Sequence, residues 1–418
     1  MRIAWIGPAR DGGGVPGMGA LLLGGLLDAG AEVDFYTTDS PDDLATDLRG
    51  RSNLHPVRTE IPWEWGRWYS RKPYRAFIAS TYMRTRAYRR LTRMLIERNA
   101  RQPYDCIFQL SQTELFELGK RRDMLPPIVV YPCVHAAGEL RWHRRESAYA
   151  LQSERAPMHY LTRAILAYRS AVQKREVRKP AMIIGMSRRF NELVAQDYGV
   201  DPSRQAVLYH PIATATPDAP PLADRPAGEP IRMLFVARIS VRKGLEHIVE
   251  LSRRLDDLHG QVHIEVMGDR TQWSDYRAHL KDLNARTAHY AGSLNHEKVM
   301  AEYDRADVLL LPSMYEPGGL VVGEALSRGV VAVVSDEVGS GEPVDDDVCR
   351  KFPAGNMDEF ERQVRRTIDD LRTRRQSLRA AARQQAIEHF APDKIAADLI
   401  GHLRRVCGVA ATPQELPL

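Results

Sequence analysis

Cysteine is scarce in this chain, and Cys106, Cys133, Cys349 and Cys407 lack the close pairing that a zinc site or a disulfide framework needs. Free thiols in a reducing compartment are the expectation. Long apolar runs are missing too, since no stretch approaches the ~18 to 20 consecutive apolar residues of a membrane span. Nor is an export signal expected from the N-terminus: Met1-Arg2-Ile3-Ala4-Trp5-Ile6-Gly7 ends its short apolar run in glycine, and the run from Leu21 to Leu27 is too far in and too glycine-rich. A cytoplasmic location is expected. Strong charge of one sign is absent as well, the net charge being +5 and the pI about 9.0. With 44% hydrophobic and 27% charged residues the composition is that of an ordinary globular protein, and 418 residues imply two or three domains. No internal repeat stands out beyond two α/β halves, which excludes a solenoid.

The first half opens as a β-α-β unit. Arg2 to Ile6 reads as a buried strand, a glycine loop follows from Gly7 to Gly19, then an apolar helix to about Asp28 and a strand from Glu32 to Thr37. Gly12, Gly14 and Gly17 match the dinucleotide pattern Gly-x-Gly-x-x-Gly, with Asp34 or Asp39 near the place of a ribose-binding acid. A different phosphate or acceptor site, and simple tight-turn packing, explain the same glycines. Strand-like runs at Tyr104–Leu110 and Ile128–Tyr131 come next, the second followed by His135; a histidine just past a strand's C-terminal end is either a ligand contact or a satisfied loop residue. Arg141 to Lys179 reads as a basic helical stretch. A strand at Ala181–Met186, a helix from Arg188 to Gly199 and a strand at Ala206–Leu208 complete this half.

Residues 213–230 contain five prolines without apolar periodicity, and mark a linker. Beyond it strands and helices alternate regularly: strand Ile231–Ala237, the turn Arg238 to Gly244, a helix to about Leu258, strand Val262–Met267, a helix, strand His289–Gly292, helix His296–Arg305, strands Asp307–Leu311 and Val330–Ser335, and helices over Met357–His389 and Lys394–Cys407. That pattern predicts a parallel sheet covered on both faces.

The chain is organised around 309–329, which reads strand, loop, helix. Val308–Leu311 stops at Pro312, and a helix begins after Glu316-Pro317-Gly318-Gly319. Free N–H groups at a helix start favour an anionic or hydroxyl-rich ligand, and two glycines there let its oxygens approach the backbone. Glu316 and Glu324 bracket that position. Acceptor-only carboxylates suit a polyol, although Glu316 as a helix-dipole partner and Glu324 as a solvated helix residue fit equally.

Glu316-Pro317-Gly318-Gly319 with Glu324 eight residues on, after Leu311-Pro312-Ser313, resembles the Glu-x7-Glu signature of the retaining nucleotide-sugar glycosyltransferases of family 4. Arg238 and Lys243, five apart, are similar to that family's phosphate-binding Arg and Lys. The resemblance implies the α/β GT-B architecture, two Rossmann-like α/β/α domains facing across a cleft: an acceptor-side domain over 1–212, the linker 213–230, a donor domain over 231–392, and a C-terminal helix at about 393–418 packing back on the first. It implies a retaining transfer from a nucleoside-diphosphate sugar, as co-substrate and not cofactor, to a saccharide, glycolipid or metabolite hydroxyl, in cell-envelope glycan or related glycoconjugate biosynthesis. Arg238 and Lys243 would bind the diphosphate, Glu324 the ribose, and Glu316 with the backbone of Gly318, Gly319 and Leu320 the donor sugar. His135 would touch the transferred sugar, and Gly13 and Gly14 would approach the phosphates as the cleft closes. The chain departs from the family in having Gly318 where Phe is usual, and Tyr209-His210-Pro211 where an Asn-Gly-type turn is usual. A sugar-nucleotide epimerase or other GT-B enzyme, and an NAD-dependent enzyme, are the alternative readings.

Two further expectations concern charge. Asp345-Asp346-Asp347 contains an Asp-x-Asp pattern of the kind that holds a divalent cation, but no strand leads into it, and Arg238 and Lys243 already serve the leaving group; we read it as a solvated loop and the enzyme as metal-independent. From Trp63 to Arg101 the chain interleaves aromatics (Trp63, Trp65, Trp68, Tyr69, Tyr74, Phe77, Tyr82, Tyr88) with basic residues (Arg67, Arg71, Lys72, Arg75, Arg84, Arg86, Arg89, Arg90, Arg93, Arg98, Arg101). Rings and long cations together suit an anionic membrane face, so 63–101 is expected to hold the protein peripherally on the inner membrane surface or to be a solvated basic face; a nucleic-acid partner is not expected.

Overall fold

The computed structural model describes residues 1–408 except 65, 72, 111–122, 154–155, 219–221, 223–227 and 271–274. Parts of the expected linker, Trp65 and Lys72 of the basic segment, and 409–418 of the expected terminal helix therefore lie outside the described residues.

Among the described residues, mostly apolar runs of three to six residues form thirteen strands in two parallel sheets. The first sheet holds β1 (Arg2–Ile6), β2 (Glu32–Thr37), β3 (Leu54–Arg58), β4 (Cys106–Leu110), β5 (Ile128–Tyr131), β6 (Met182–Gly185) and β7 (Gln205–Val207), in the order β3-β2-β1-β4-β5-β6-β7. Its helices are α1 (Gly14–Asp28), α2 (Pro73–Arg101), α3 (Ala136–Arg145), α4 (Ser147–Ser153), α5 (Ala156–Glu176) and α6 (Arg188–Tyr198). The second sheet runs β10-β9-β8-β11-β12-β13, from β8 (Ile231–Val236), β9 (Val262–Met267), β10 (Ala288–Gly292), β11 (Val308–Leu311), β12 (Val331–Ser335) and β13 (Cys349–Phe352). Its helices are α7 (Leu245–Arg254), α8 (His296–Asp304), α9 (Leu320–Ser327) and α10 (Met357–Phe390), and α11 (Pro392–Cys407) closes the described chain.

Besides β13 (Cys349–Phe352), whose central Arg350 and Lys351 hid it from the sequence reading, two elements differ from the sequence expectation. The segment between β9 and β10 forms a short 3-10 turn, Arg277–Asp282, where an α-helix was expected. In the other, β3 was not legible, because its polar sequence Leu54-His55-Pro56-Val57-Arg58 carries a proline; proline is tolerated here because β3 is an edge strand, where one N–H needs no partner.

Burial follows the sheets. One core gathers β1 to β7 with α1, α2 and α6, and the other gathers β8 to β13 with α7, α9 and α10. Two exchanges tie them: Ile395, Leu399 and Leu403 of α11 are buried in the first core, and Ala150 of α4 is buried in the second. Among the described residues no helix is long and apolar enough to cross a membrane.

Candidate functional site

In both sheets the loops after the strands' C-terminal ends carry the residues singled out from sequence, as expected for open parallel sheets. After β8, a 3-10 turn at Val241–Lys243 ends in Gly244, whose φ of 83° favours glycine and where any Cβ would collide with the carbonyl of Pro312. The loop after β11 therefore lies directly against this turn, and Met314 N–H donates to the Arg242 carbonyl at 2.8 Å. That packing brings the Lys243 ammonium onto the Glu316 carboxylate as an ion pair. Burial lowers the Lys243 pKa, and Arg242 and Arg238 lower it further, while Glu139 opposes them; the direct contact with Glu316 also favours the charged form. Arg238 is exposed and, with Gly268, Asp269, Ser293, Leu294 and Val321, lines a cavity of about 690 Å³ at the ends of β8 to β10.

Successive carbonyls pin the loop that carries Glu316. The Glu316 carbonyl accepts from Gly339 N–H at 3.0 Å and that of Pro317 from the Ser187 hydroxyl of the first domain at 2.7 Å. Those of Gly318 and Gly319 accept from Ser340 N–H (2.8 Å) and the Ser340 hydroxyl (2.7 Å). Gly319 caps α9 at φ 100°, again a glycine conformation, and Leu320 is the first helical residue. Glu324 stands one turn inside α9; burial raises its pKa, against the attraction of His296, whose Nδ1 is 3.9 Å away. His296 in turn faces the first domain's glycine loop: a Cβ on Gly13 would stand 3.0 Å from its Nδ1. Gly13 caps α1 and Gly14 begins it. Thus Gly13, His296 and Glu324 form one line across the cleft.

His135 caps α3 and its imidazole is fully buried. Its Nδ1 is 2.9 Å from the Tyr315 hydroxyl, and its Nε2 is 3.0 Å from Asp197 Oδ2 without hydrogen-bond alignment; Arg141 holds that carboxylate at 2.7 Å. An ionised carboxylate only accepts, so the proton belongs on Nε2 and Tyr315 donates to Nδ1. Burial lowers the His135 pKa to about 4, against the pull of Asp197. The resemblance puts this ring against the transferred sugar; here it has no exposed surface and both nitrogens face protein. Gly138, one turn into α3, makes room for the Tyr315 ring, which a Cβ there would strike.

Several of these partners escaped the sequence reading. Tyr315 adjoins Glu316, and that adjacency was the one available signal. Glu139, Asp197 and His296 sit on helices with no motif, and only the fold brings them in. So does Glu146, which accepts the Arg242 N–H and, at 3.1 Å, the Tyr276 hydroxyl. Both departures from the family pattern meet in space: a Cβ on Gly318 would lie 3.0 Å from His210 Cε1 and 2.9 Å from Met186 Sδ. First-domain side chains occupy the room a larger residue would need.

The acids expected for a dinucleotide are engaged elsewhere. Asp34 is buried and bonded to Arg2, Arg98 and Tyr104, and Asp39 is paired with Arg10. A Cβ on Gly17 would collide with the Gly12 carbonyl, so this glycine serves the tight turn. A larger cavity, about 1580 Å³, runs between α1 and α11 and includes none of Arg238, Lys243, Glu316 or Glu324.

Residues 223–385 match the family model for glycosyl transferases group 1. A glycogen synthase of Mycobacterium tuberculosis is 32% identical over 176 residues, 42% of each chain, so the match spans about two fifths of that relative's length. Over the whole chain the fold is similar to sucrose-phosphate synthase from Thermosynechococcus elongatus (TM-score 0.67, 18% identity, covering 97% of this chain and 99% of that one). It is also similar to Anabaena HepE in complex with UDP-glucose (TM-score 0.57, 15% identity, 97% and 100%). Residues 223–385 therefore match a glycosyltransferase group 1 domain, and the whole chain has the two-domain GT-B fold.

Proposed function

We propose that the protein is a retaining glycosyltransferase that moves a sugar from a nucleoside-diphosphate sugar to a hydroxyl acceptor. The observation that carries this reading is the Lys243–Glu316 ion pair at the start of α9, with Arg238 beside it and the first domain's glycine loop opposite. A cation held among two guanidinium groups and one carboxylate is prepared for a diphosphate, which would take over the ammonium and free Glu316 for the sugar. Arg238 and Lys243 then neutralise the charge growing on the departing diphosphate; losing one such preorganised donor costs ~10²–10³ in rate. Glu324, half-buried behind them, accepts from ribose hydroxyls.

No metal enters this mechanism. Asp346 pairs with Lys351 at 2.8 Å, and Asp347 lies 3.7 Å from Arg374. Undiminished turnover in EDTA is the expected result; loss of activity with recovery on adding Mn²⁺ would overturn it. We further place the acceptor at an anionic membrane surface approached by residues 63–101, where Arg84, Arg86, Arg90 and Arg93 are exposed on α2. Envelope glycan or glycolipid synthesis is the corresponding role.

Release of nucleoside diphosphate from a panel of sugar nucleotides tests the reaction. Glu324→Ala should raise the donor KM with little change in kcat, whereas Glu316→Ala should lower kcat as well, since the sugar changes charge and shape along the reaction. Unchanged affinity and turnover in both variants would remove the basis of the assignment.

A further inference from the structure

The large hydrophobic side chains exposed among the described residues are Trp68, Ile78, Tyr82, Met124, Leu151, Tyr160, Leu161 and Tyr168, all in the first domain. Three of them are on α5, outside the basic aromatic segment read from sequence. Along α5, Pro157, Leu161, Ala164, Tyr168 and Ala171 are exposed at alternating steps of four and three, one continuous face, with Tyr160 beside it. His159, Thr162, Leu166 and Gln173 form the buried face. Tyr168 is 69% exposed, which is far from a half-covered core residue.

Topology puts this face on the same side of the first sheet as α2. The connections β3 to β4 and β5 to β6 both advance in the same direction along the sheet, so right-handed crossovers set α2 and α5 on one side of it. The connection from β1 to β2 runs the other way, which sets α1 on the opposite side, where α11 packs along it. Leu91 and Leu95 anchor α2 in the first core, and Gln173 anchors α5 by donating to the Val134 carbonyl at 2.6 Å. Both exposed faces therefore belong to the side of the first sheet opposite α1. At 1.5 Å per residue the 29 residues of α2 and the 21 of α5 run roughly 43 and 31 Å.

Charge selects the occupant. Arg163, Arg169, Lys174 and Arg175 are the basic groups of α5, and its one acid, Glu176, is buried against Arg175 and Lys179. Guanidinium groups lie over rings on both helices and on α3: Arg163 over Tyr160 at 5.3 Å, Arg86 over Tyr82 at 5.8 Å and Arg145 over Trp142 at 5.1 Å. A second copy would bring like charges together. A globular acidic partner needs a compact buried centre, whereas these apolar anchors are spread along two long helices with cations between them. A planar anionic surface fits, with rings at headgroup depth and cations at phosphates.

We infer that the exposed face of α5 is a second membrane-contact element, which with α2 lays the outer side of the first domain flat on an anionic lipid bilayer. This deepens the acceptor reading above and rests on it only for placing the bilayer on the acceptor-side domain.

Co-sedimentation of the full chain with phosphatidylcholine vesicles, with and without phosphatidylglycerol, tests it. Binding should require phosphatidylglycerol and fall away at about 0.5 M salt, where exposed charge is screened. Leu161→Glu with Tyr168→Glu, both exposed and thus harmless to folding by thermal melting, should weaken binding about tenfold or more, as should Arg90→Glu with Arg93→Glu. If only the α2 pair weakens binding, the α5 assignment is overturned while peripheral attachment stands. Binding unaffected by either pair, or absent from both vesicle types, overturns the membrane face altogether. Self-association lost in the α5 variant would overturn it in favour of a dimer interface, and vesicle-independent capture of an acidic protein in favour of a protein partner. Nucleoside diphosphate release without vesicles reports on the transferase reading separately.

Discussion

At the scale of single residues, the cleft is held by side chains whose ordinary charge is opposed by burial. His135, His143 and His210 are all lowered to about 4, in each case chiefly by burial, with Arg163 and His159 adding to the effect at His143. Their folded pKa lies below the unfolded ~6.5, so between those values the unfolded chain binds more protons than the folded one. The stability they contribute is complete above about pH 6.5 and is lost as pH falls towards 4. Glu324, raised by burial, works in the opposite direction but is one group against three. We expect the unfolding free energy to fall from pH 6.5 to 4 by on the order of 1 kcal/mol per pH unit for each histidine, and the melting temperature to drop steadily with it. A flat profile over that range would show the rings to be hydrated in the folded state. His143→Phe should remove part of the slope, since neither ring nitrogen of His143 has a hydrogen-bond partner. Arg238, Lys243, Glu316 and Glu324 could be picked out of the sequence as candidates because their chemistry travels with fixed local spacing. Asp197 was not: its tie to His135 joins a helix to a loop 62 residues earlier, and no local pattern encodes that.

The elements around the cleft are joined chiefly by backbone groups. The N-terminus of α6 is capped twice, by the Ser187 hydroxyl at Phe190 N–H (2.9 Å) and by Glu342 of the second domain, which accepts from Arg188 and Arg189 N–H at 2.8 Å each. Glu337 adds a pair with Arg189 at 2.6 Å. A carboxylate at a helix N-terminus contributes about 1 kcal/mol, more when partly buried, so Glu342→Ala should lower global stability by roughly that amount and loosen the domain contact. Faster amide exchange at Arg188 and Arg189 in that variant, with the second sheet unaffected, is the expected readout. Gly318→Phe should be worse, because the ring would enter space held by Met186 and His210. Adding His210→Gly should recover part of the loss if the two departures from the family pattern compensate one another, and no recovery would mean they are independent. Strand and helix order was readable from period and punctuation almost throughout. It failed at β3, where edge position overrode a proline, at the other edge strand β13, where Arg350 and Lys351 interrupt the apolar pattern, and between β9 and β10, where a 3-10 turn stands in place of a helix.

For the whole molecule, the division into two sheets could be read from the restart of the α/β pattern after the proline-rich segment, and the family resemblance implied a last helix packing back on the first domain; the burial of Ala150 in the second core could not be read. Helix α11 follows directly on α10 of the second domain and yet buries Ile395, Leu399 and Leu403 in the first core. Its amphipathic spacing announces a buried face, and the resemblance, not the spacing, named the first domain as the partner. At about 1.5–3 kcal/mol for each fully buried aliphatic side chain, these three contribute an amount comparable to the ~5–15 kcal/mol net stability of a typical domain. A chain ending at residue 391 should therefore lose the first domain's cooperative melting while the second domain's persists, which calorimetry would resolve as two transitions becoming one. The boundary drawn along the sequence is thus not the boundary along which this protein comes apart. Anyone building hybrids, grafting the acceptor side of one transferase onto the donor side of another, would have to move residues 392–407 together with 1–212, as one heritable block in two pieces; a simple exchange at the proline-rich segment leaves each parent's last helix facing a surface it was never selected to fit.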